Sequence, residues 1–396
     1  MSPLVWDLAH VGNYEELWLL REVAGAAPID AALDDIYDAF RHPRPNRPSL
    51  PMLGPAESRR YLLDVRGRVL DALEGADLEG HGRPLLAGGL VYGMVVQHEH
   101  QHDETMLATL QLMAGDGYRP LAPAPPVAID RPPSGEVLVP GGPFVMGVDA
   151  DAEPWAYDNE RPAHMVDVPE FRIDAGPVTN GRYLEFMLDG GYDTPFLWEP
   201  EGWTWRKDND VRHPQFWVDE GGRDWSRVRF GFREELPLDE PVKQVGWYEA
   251  DAFAGGAGKR RPTEAEWEKA ASWTPAGQKR RYPWGDEAPT SALANLGGGL
   301  FRPAPVGAYP DGASAYGVHQ MVGDVWEWTA SDFEPYPGFA SFPYREYSEV
   351  FFGPSYKVLR GGSWATSPLA VRTTFRNWDY PIRRQIFSGF RCARSV

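Results

Sequence analysis

The chain is almost devoid of cysteine. Cys392 is the single one in 396 residues, so no internal disulfide can form. This counts against thiol–disulfide chemistry and a cysteine-rich zinc module, and a reducing cytoplasm is the expected compartment. Long apolar runs are missing too: none approaches the roughly 20 residues of a membrane helix. The first apolar stretch carries Asp7 and has no basic leader, so it does not read as a signal peptide. Positive charge is also scarce. A net charge of −18 argues against nucleic acid or an anionic membrane as the main partner, because both need a basic face.

What remains is ordinary for a soluble globular protein, with 42% hydrophobic and 24% charged residues and length enough for two or three domains. Composition shifts near residue 120. Fourteen of the sixteen tryptophans lie beyond it and six of the nine histidines before it, which marks two regions of different construction. Between them, RPLAPAPPVAIDRPPSGE at 119–136 reads as a proline-rich, semi-rigid linker. The expected division is therefore 1–118, 119–136 and 137–396.

The first region reads as a small helical bundle. Ser2-Pro3 opens a helix that runs through Leu20. A short helix follows over 30–40. A third spans Pro55 to Leu73, with Leu62, Val65, Val69 and Leu73 on one stripe, and a fourth spans Leu85 to Met113. The second region reads as an irregular α+β domain. Short strand-like runs (EVLVPGGPFVMG, PAHMVDVPEFRI, YKVLRGG) alternate with Gly, Pro and Trp turns. Two helices stand out, Asn180–Leu188 and the one opened by the Thr263–Glu266 capping box and ending near Ala271.

Chemistry concentrates in a few places. His98 and His102 are four apart on the fourth helix, the spacing by which one helix face chelates one metal. His10 lies on a helix of the same bundle, in one stripe with Trp6, Tyr14 and Leu17, and supplies a third imidazole. Three imidazoles with open positions suit an oxygen-using iron site. Asp103 and Glu104 are candidates to orient a ligand imidazole. The same residues also spell H-E-x-x-H, with Glu99 as the base of a zinc peptidase, although no third peptidase ligand follows downstream. A binding module without metal or catalysis is a further alternative.

Arg44 and Arg47 lie in the proline-braced loop HPRPNRP and read as a carboxylate clamp. In RNWDYPIRR at 376–384, Trp378, together with Tyr347, suits a quaternary ammonium by cation–π contact. Asn377 suits an amino-acid head group, and Asp379 and Arg383 suit the two ends of an amino acid. Tyr344, in FPYREYSEV, is a candidate proton donor. The tryptophans of GDVWEWTASDF and RGGSWATS read as packing.

These segments resemble known families. GGPFVMG, DNERPAH, PVTNGRYLEF, RPTEAEWEKAA, YPWGDE, ANLGG, GDVWEWT, LRGGSW and GFRCAR resemble the formylglycine-generating (sulfatase-modifying) fold, a C-type-lectin-like domain. LAHVGNYEE and HEHQHDE resemble the DinB-type helical bundle with its H-x3-H-x-E iron motif. Their combination resembles the sulfoxide synthases of ergothioneine biosynthesis, the EgtB family, over essentially the whole chain and closest to the actinobacterial type.

The resemblance implies a cytoplasmic non-haem Fe(II) oxidoreductase that uses O2 to join hercynine (Nα,Nα,Nα-trimethylhistidine) to γ-glutamylcysteine as a sulfoxide. It implies His10, His98 and His102 as iron ligands. Arg44, Arg47, Asp379 and Arg383 would bind γ-glutamylcysteine. Gln101, Tyr347, Asn377 and Trp378 would surround hercynine, and Tyr344 would act as the acid. It leaves room for a structural calcium in the lectin-like domain, and for a cysteine-using or selenoneine-type relative. Formylglycine-generating activity needs a cysteine pair and is not implied. The family also implies some tens of residues ahead of the segment that begins here.

Overall fold

The computed structural model describes residues 1–113, 117–120, 129 and 132–396. Residues 121–128 and 130–131, the greater part of the expected linker, lie outside the described residues. The chain divides into two compact units. One is Met1–Met113 with Ala150–Trp155; the other holds the described residues of 114–149 with Ala156–Val396. No described helix is long and apolar enough to cross a membrane.

The first unit is helical: α1 Leu4–Glu15, α2 Ala32–Ile36, α3 Pro55–Leu73 and α4 Leu90–Leu112. Pro3 stands at the N-cap of α1, one position later than the expected Ser2. Beyond Glu15 the helix does not continue as α but widens into a π-helical stretch, Glu16–Val23. Such widening is often found at functional sites. Here it accompanies a buried carboxylate, since Glu16 accepts from Tyr61 Oη at 2.5 Å and from the Ile29 amide at 2.7 Å. Of the expected stripe on α3, Val65 and Val69 are buried while Leu62 and Leu73 are half-buried; Tyr61 and Ser58 complete the inward face. α4 starts five residues later than expected, because Gly88 and Gly89 at φ +61° and +69° break the helical path before Leu90. The segment 150–155 docks onto this start: Trp155 Nε1 donates to the Gly88 carbonyl (3.2 Å), and its own carbonyl accepts from Gln97 Nε2 (2.9 Å).

The second unit combines helices with four small sheets. In chain order the elements are β1 Glu136–Val139, β2 Gly142–Met146, β3 His164–Val168, β4 Phe171–Asp174, α5 Asn180–Leu188, α6 Pro200–Asp208, β5 Trp217–Gly221, β6 Asp224–Arg229, β7 Phe232–Glu235, α7 Trp247–Gly256, α8 Glu264–Ser272, β8 Trp326–Phe333, β9 Gly353–Arg360, β10 Arg376–Asp379, β11 Ser388–Gly389 and β12 Ala393–Ser395. The sheet orders are β1-β4-β12, β2-β3, β5-β6-β7 and β10-β9-β8-β11. All pairings are antiparallel except that of β11 with β8.

α5 spans Asn180–Leu188 as read, and α8 falls where its capping box places it. Thr179 caps the first, and Thr263 and Glu266 exchange two bonds at the start of the second. α6 and α7 were not expected. RNWD, at the start of the segment 376–384, forms β10, paired to β9 with Trp378 opposite Val358. The core gathers Phe144, Met146, Phe171, Ile173, Trp267 and Met321. Trp326, Trp328 and Trp364 are buried, as their packing assignment requires. So is Cys392, whose amide donates to Asp174 Oδ2 and whose thiol is pushed well up by burial.

Burial alone does not fix β8–β10; arginines do. Arg360 is bonded to Glu264 (2.7 Å) and Glu268 (2.6 Å), Arg376 to Glu264 (2.7 and 2.9 Å), and Arg391 to Glu327 (2.7 Å), all buried. Arg376 and Arg391 each grip one carboxylate by two bonds and Arg360 bridges two carboxylates, which compensates charges that would otherwise be costly inside a protein.

Candidate metal centre and candidate substrate residues

α1 and α4 present the three histidines to one point. The ligand atoms of His10, His98 and His102 lie within 4.8 Å of one another, the one such cluster of His, Cys, Asp or Glu among the described residues. Two of the imidazoles are fixed from behind. His10 Nδ1 is 2.8 Å from the Tyr37 carbonyl, and His102 Nδ1 is 3.1 Å from Asp7 Oδ1. With those nitrogens engaged, Nε2 is the one each ring can offer to an ion. His98 Nδ1 is buried and has no hydrogen-bond partner among the described residues. Its ring stacks on Tyr14 at 3.7 Å, and that of His10 stacks on Trp6 at 4.6 Å.

Burial and the neighbouring imidazoles push His10 and His98 well below the usual histidine range, so both are held neutral, the form that ligates a metal. Three converging imidazoles, two of them held neutral, without a thiolate or carboxylate among them, therefore fit a divalent first-row metal.

The carboxylate behind His102 is Asp7, not the expected Asp103 or Glu104. Asp103 faces His100 instead, at 3.2 Å. Sequence spacing could not show this, because Asp7 and His102 are 95 residues apart. Glu99 is also committed: its Oε2 accepts from Arg66 Nη2 (2.7 Å), and the same guanidinium holds the buried Glu15 (2.6 and 3.0 Å).

Arg44 is exposed, whereas Arg47 is buried. Arg47 donates to Ser2 Oγ (2.5 Å) and to the carbonyls of His42 (2.9 Å) and Ala39 (3.2 Å), and lies 3.7 Å over the Trp6 ring. Burial, with the charge of Arg44 beside it, lowers its pKa to about 10. The two arginines of the loop therefore stand in different surroundings. Gln101 is half-buried on α4, three residues past His98.

In the second unit the expected residues group together. The Tyr347 ring meets Trp378 edge-on at 5.8 Å and Tyr344 at 6.2 Å. Trp378 stacks on Phe333 at 4.2 Å. Asn377, Trp378 and Asp379 follow one another on β10, and Asp379 Oδ2 lies 3.2 Å from Arg383 Nε. All six are half-buried. β10 is braced on both sides. Arg376, at its start, holds Glu264. Arg384, just beyond it, pairs with the buried Glu249 of α7 at 2.8 Å.

Comparison with known proteins agrees with this construction. Residues 1–106 match the DinB superfamily and residues 124–396 match the sulfatase-modifying factor enzyme 1-like domain. Hercynine oxygenase of Mycolicibacterium smegmatis is 53% identical over 405 residues, covering 100% of this chain and 92% of the relative. That of Mycolicibacterium thermoresistibile is 54% identical over 403 residues, covering 100% and 88%.

The chain belongs to the hercynine oxygenase family.

It is accordingly an oxidoreductase, built as a DinB-type helical domain followed by a sulfatase-modifying-factor domain. The formylglycine-generating enzyme of Streptomyces coelicolor is 33% identical, covering 72% of this chain and 97% of that one, so the second domain also has relatives of different chemistry. A zinc peptidase reading of H-E-x-x-H finds no support in this kinship or in the engagement of Glu99.

Proposed function

We propose that the protein uses Fe(II) and O2 to couple the γ-glutamylcysteine thiol to the imidazole C2 of hercynine, giving the sulfoxide. The observation that carries the metal assignment is the converging trio of His10, His98 and His102, two of them anchored through Nδ1 and two held neutral by burial. When bound, iron supplies thiolate activation and the means to reduce O2. The reaction balances without an outside reductant. The thiol S–H and the hercynine C2–H bonds are broken and a C–S bond forms. One oxygen atom joins the sulfur and the other leaves as water with the two hydrogens.

The residues take these roles in the proposal. Trp378 and Tyr347 face the trimethylammonium group, for which aromatic walls are suited. Asn377 and Gln101 hold the rest of hercynine. Arg44 and Arg47 bind carboxylate, while Asp379 and Arg383 open their own pair to take the charged ends of γ-glutamylcysteine. Tyr344 delivers a proton from its Oη as O2 is reduced. Residues 1–118 and 137–396 are the two functional domains and 119–136 the linker.

The test is anaerobic reconstitution with Fe(II), then aerobic incubation with hercynine and either γ-glutamylcysteine or cysteine, read by mass spectrometry. Coupled sulfoxide from γ-glutamylcysteine supports the proposal. Preference for cysteine reassigns the thiol, and peptide cleavage by a zinc-loaded protein would end the reading.

A further inference from the structure

Tyr344 and Tyr347 lie in a segment, 342–348, that has no helix or strand of its own. One backbone bond closes its turn, from the Glu349 amide to the Arg345 carbonyl at 2.9 Å, and side-chain bonds tie it to the rest of the unit. Two of these converge on one carboxylate. Asp158 is buried in the single turn Asp158–Glu160, and its two oxygens reach opposite ends of the segment: Oδ2 accepts from the Phe342 amide at 3.3 Å, and Oδ1 accepts from Ser348 Oγ. Ser348 is itself fully buried and receives a second bond, from Asn159 Nδ2 at 3.0 Å.

The same short run also touches the neighbouring site elements. Tyr157 stacks on Tyr347 at 4.1 Å with 18° between the rings, and the Asn159 carbonyl accepts from Arg376 Nη1 at 2.8 Å, at the start of β10. Glu160 then accepts from Thr374 Oγ1 at 2.7 Å and pairs with Arg372. Four consecutive residues thus hold both the tyrosine segment and the strand bearing Asn377 and Trp378.

We propose that Asp158, acting through Ser348 and the Phe342 amide, is the positioning residue that sets Tyr344 and Tyr347 for the reaction. A carboxylate suits the task because it is an acceptor at both oxygens, whereas an amide of the same shape accepts at one only. Closing the segment at both ends removes most of its alternative conformers before substrate arrives, and holding a reacting group within a fraction of an ångström matters to rate. The inference rests on the role given to Tyr344 above.

The experiment compares Asp158→Asn and Ser348→Ala with the parent and with Tyr344→Phe, each as the iron-loaded full chain. Hydrogen exchange over 342–348 is expected to rise about tenfold in both variants, while exchange over β10 stays unchanged. Iron content should be retained. The fraction of thiol oxidised without coupling should grow in the same direction as in Tyr344→Phe, and the KM for hercynine should rise several-fold. Unchanged exchange in the Ser348→Ala variant would overturn the proposal. So would looser exchange with an unchanged product ratio, provided that Tyr344→Phe does shift that ratio. If Tyr344→Phe is itself silent, the role of Tyr344 has failed and the positioning claim falls with it, even though the bonds from Asp158 stand.

Discussion

Glu99 Oε2 and Arg66 Nη2 are 2.7 Å apart, so the carboxylate between His98 and His102 is spent on a cation that also holds the buried Glu15. A general base needs a free carboxylate within reach of water. Glu99→Gln is therefore expected to keep bound Fe(II) and most activity. His10→Ala, His98→Ala and His102→Ala should each lose metal. Metal content after desalting, set beside turnover, checks this. Loss of iron in the Gln variant would place Glu99 among the ligands.

The two loop arginines should respond differently. Arg44 is exposed, so Arg44→Ala should act on substrate alone, raising the KM for γ-glutamylcysteine by the equivalent of roughly 1.5–3 kcal/mol. The KM for hercynine should change much less. Arg47 is buried with three acceptors and the Trp6 ring, so Arg47→Ala should in addition lower the melting temperature. Steady-state kinetics with each substrate varied, together with thermal melts, separates the two. An equal rise in both KM values for Arg44→Ala would argue against the clamp.

Tyr344→Phe keeps the ring and its contact with Tyr347 but removes the hydroxyl. Metal and substrate binding should survive. Without its proton donor the reaction should divert to oxidation of the bound thiol, and the sulfinic acid of γ-glutamylcysteine should accumulate instead of coupled sulfoxide. Mass-spectrometric product ratios decide it. An unchanged ratio at an unchanged rate removes Tyr344 from the mechanism.

Lys243 gives the second unit a pH-dependent stability. It is buried, donates to Gln244 Oε1 at 2.8 Å, and is pushed down to about 7 by burial and the charge of Arg227. Unfolded lysine titrates near about 10.4. Between these values the unfolded chain binds more protons than the folded one, so stability rises with pH across that window and is lowest below it. Lys243→Met should flatten this slope and raise stability near pH 6 by on the order of 1–4 kcal/mol. Denaturant midpoints measured from about pH 6 to about pH 10 test it. A slope that survives the substitution would place its origin elsewhere.

Much of this was legible in the sequence, for identifiable reasons. α3 runs from Pro55 to Leu73 as read, because Pro at the first helical position and a steady apolar stripe signal both its start and its face. The histidine trio was legible from helical spacing together with the family resemblance of its segments. α6 and α7 escaped because neither shows a clean apolar stripe: PEGWTWRKD is mostly polar around two tryptophans, and WYEADAFAGG mixes aromatics with small residues and ends on two glycines. α7 opens on Glu249 returning to the Gly246 amide, and the same buried carboxylate pairs with Arg384 from far along the chain. The burial of Arg47, the reach of Asp7 to His102 and the hold of Asp158 on 342–348 all join residues far apart in the chain. Nothing in local periodicity encodes such pairings.

Cys392 lies wholly inside the second unit, with its thiol shifted far toward the protonated form. For a protein proposed to handle thiols and O2, this seals its one oxidisable sulfhydryl away from its own chemistry. It also makes the folded chain silent to thiol-directed reagents, with a single equivalent appearing only in denaturant. A cysteine placed at any exposed position could then carry a spin label or fluorophore with no competing background, so the tyrosine segment can be watched directly without rebuilding the native sequence.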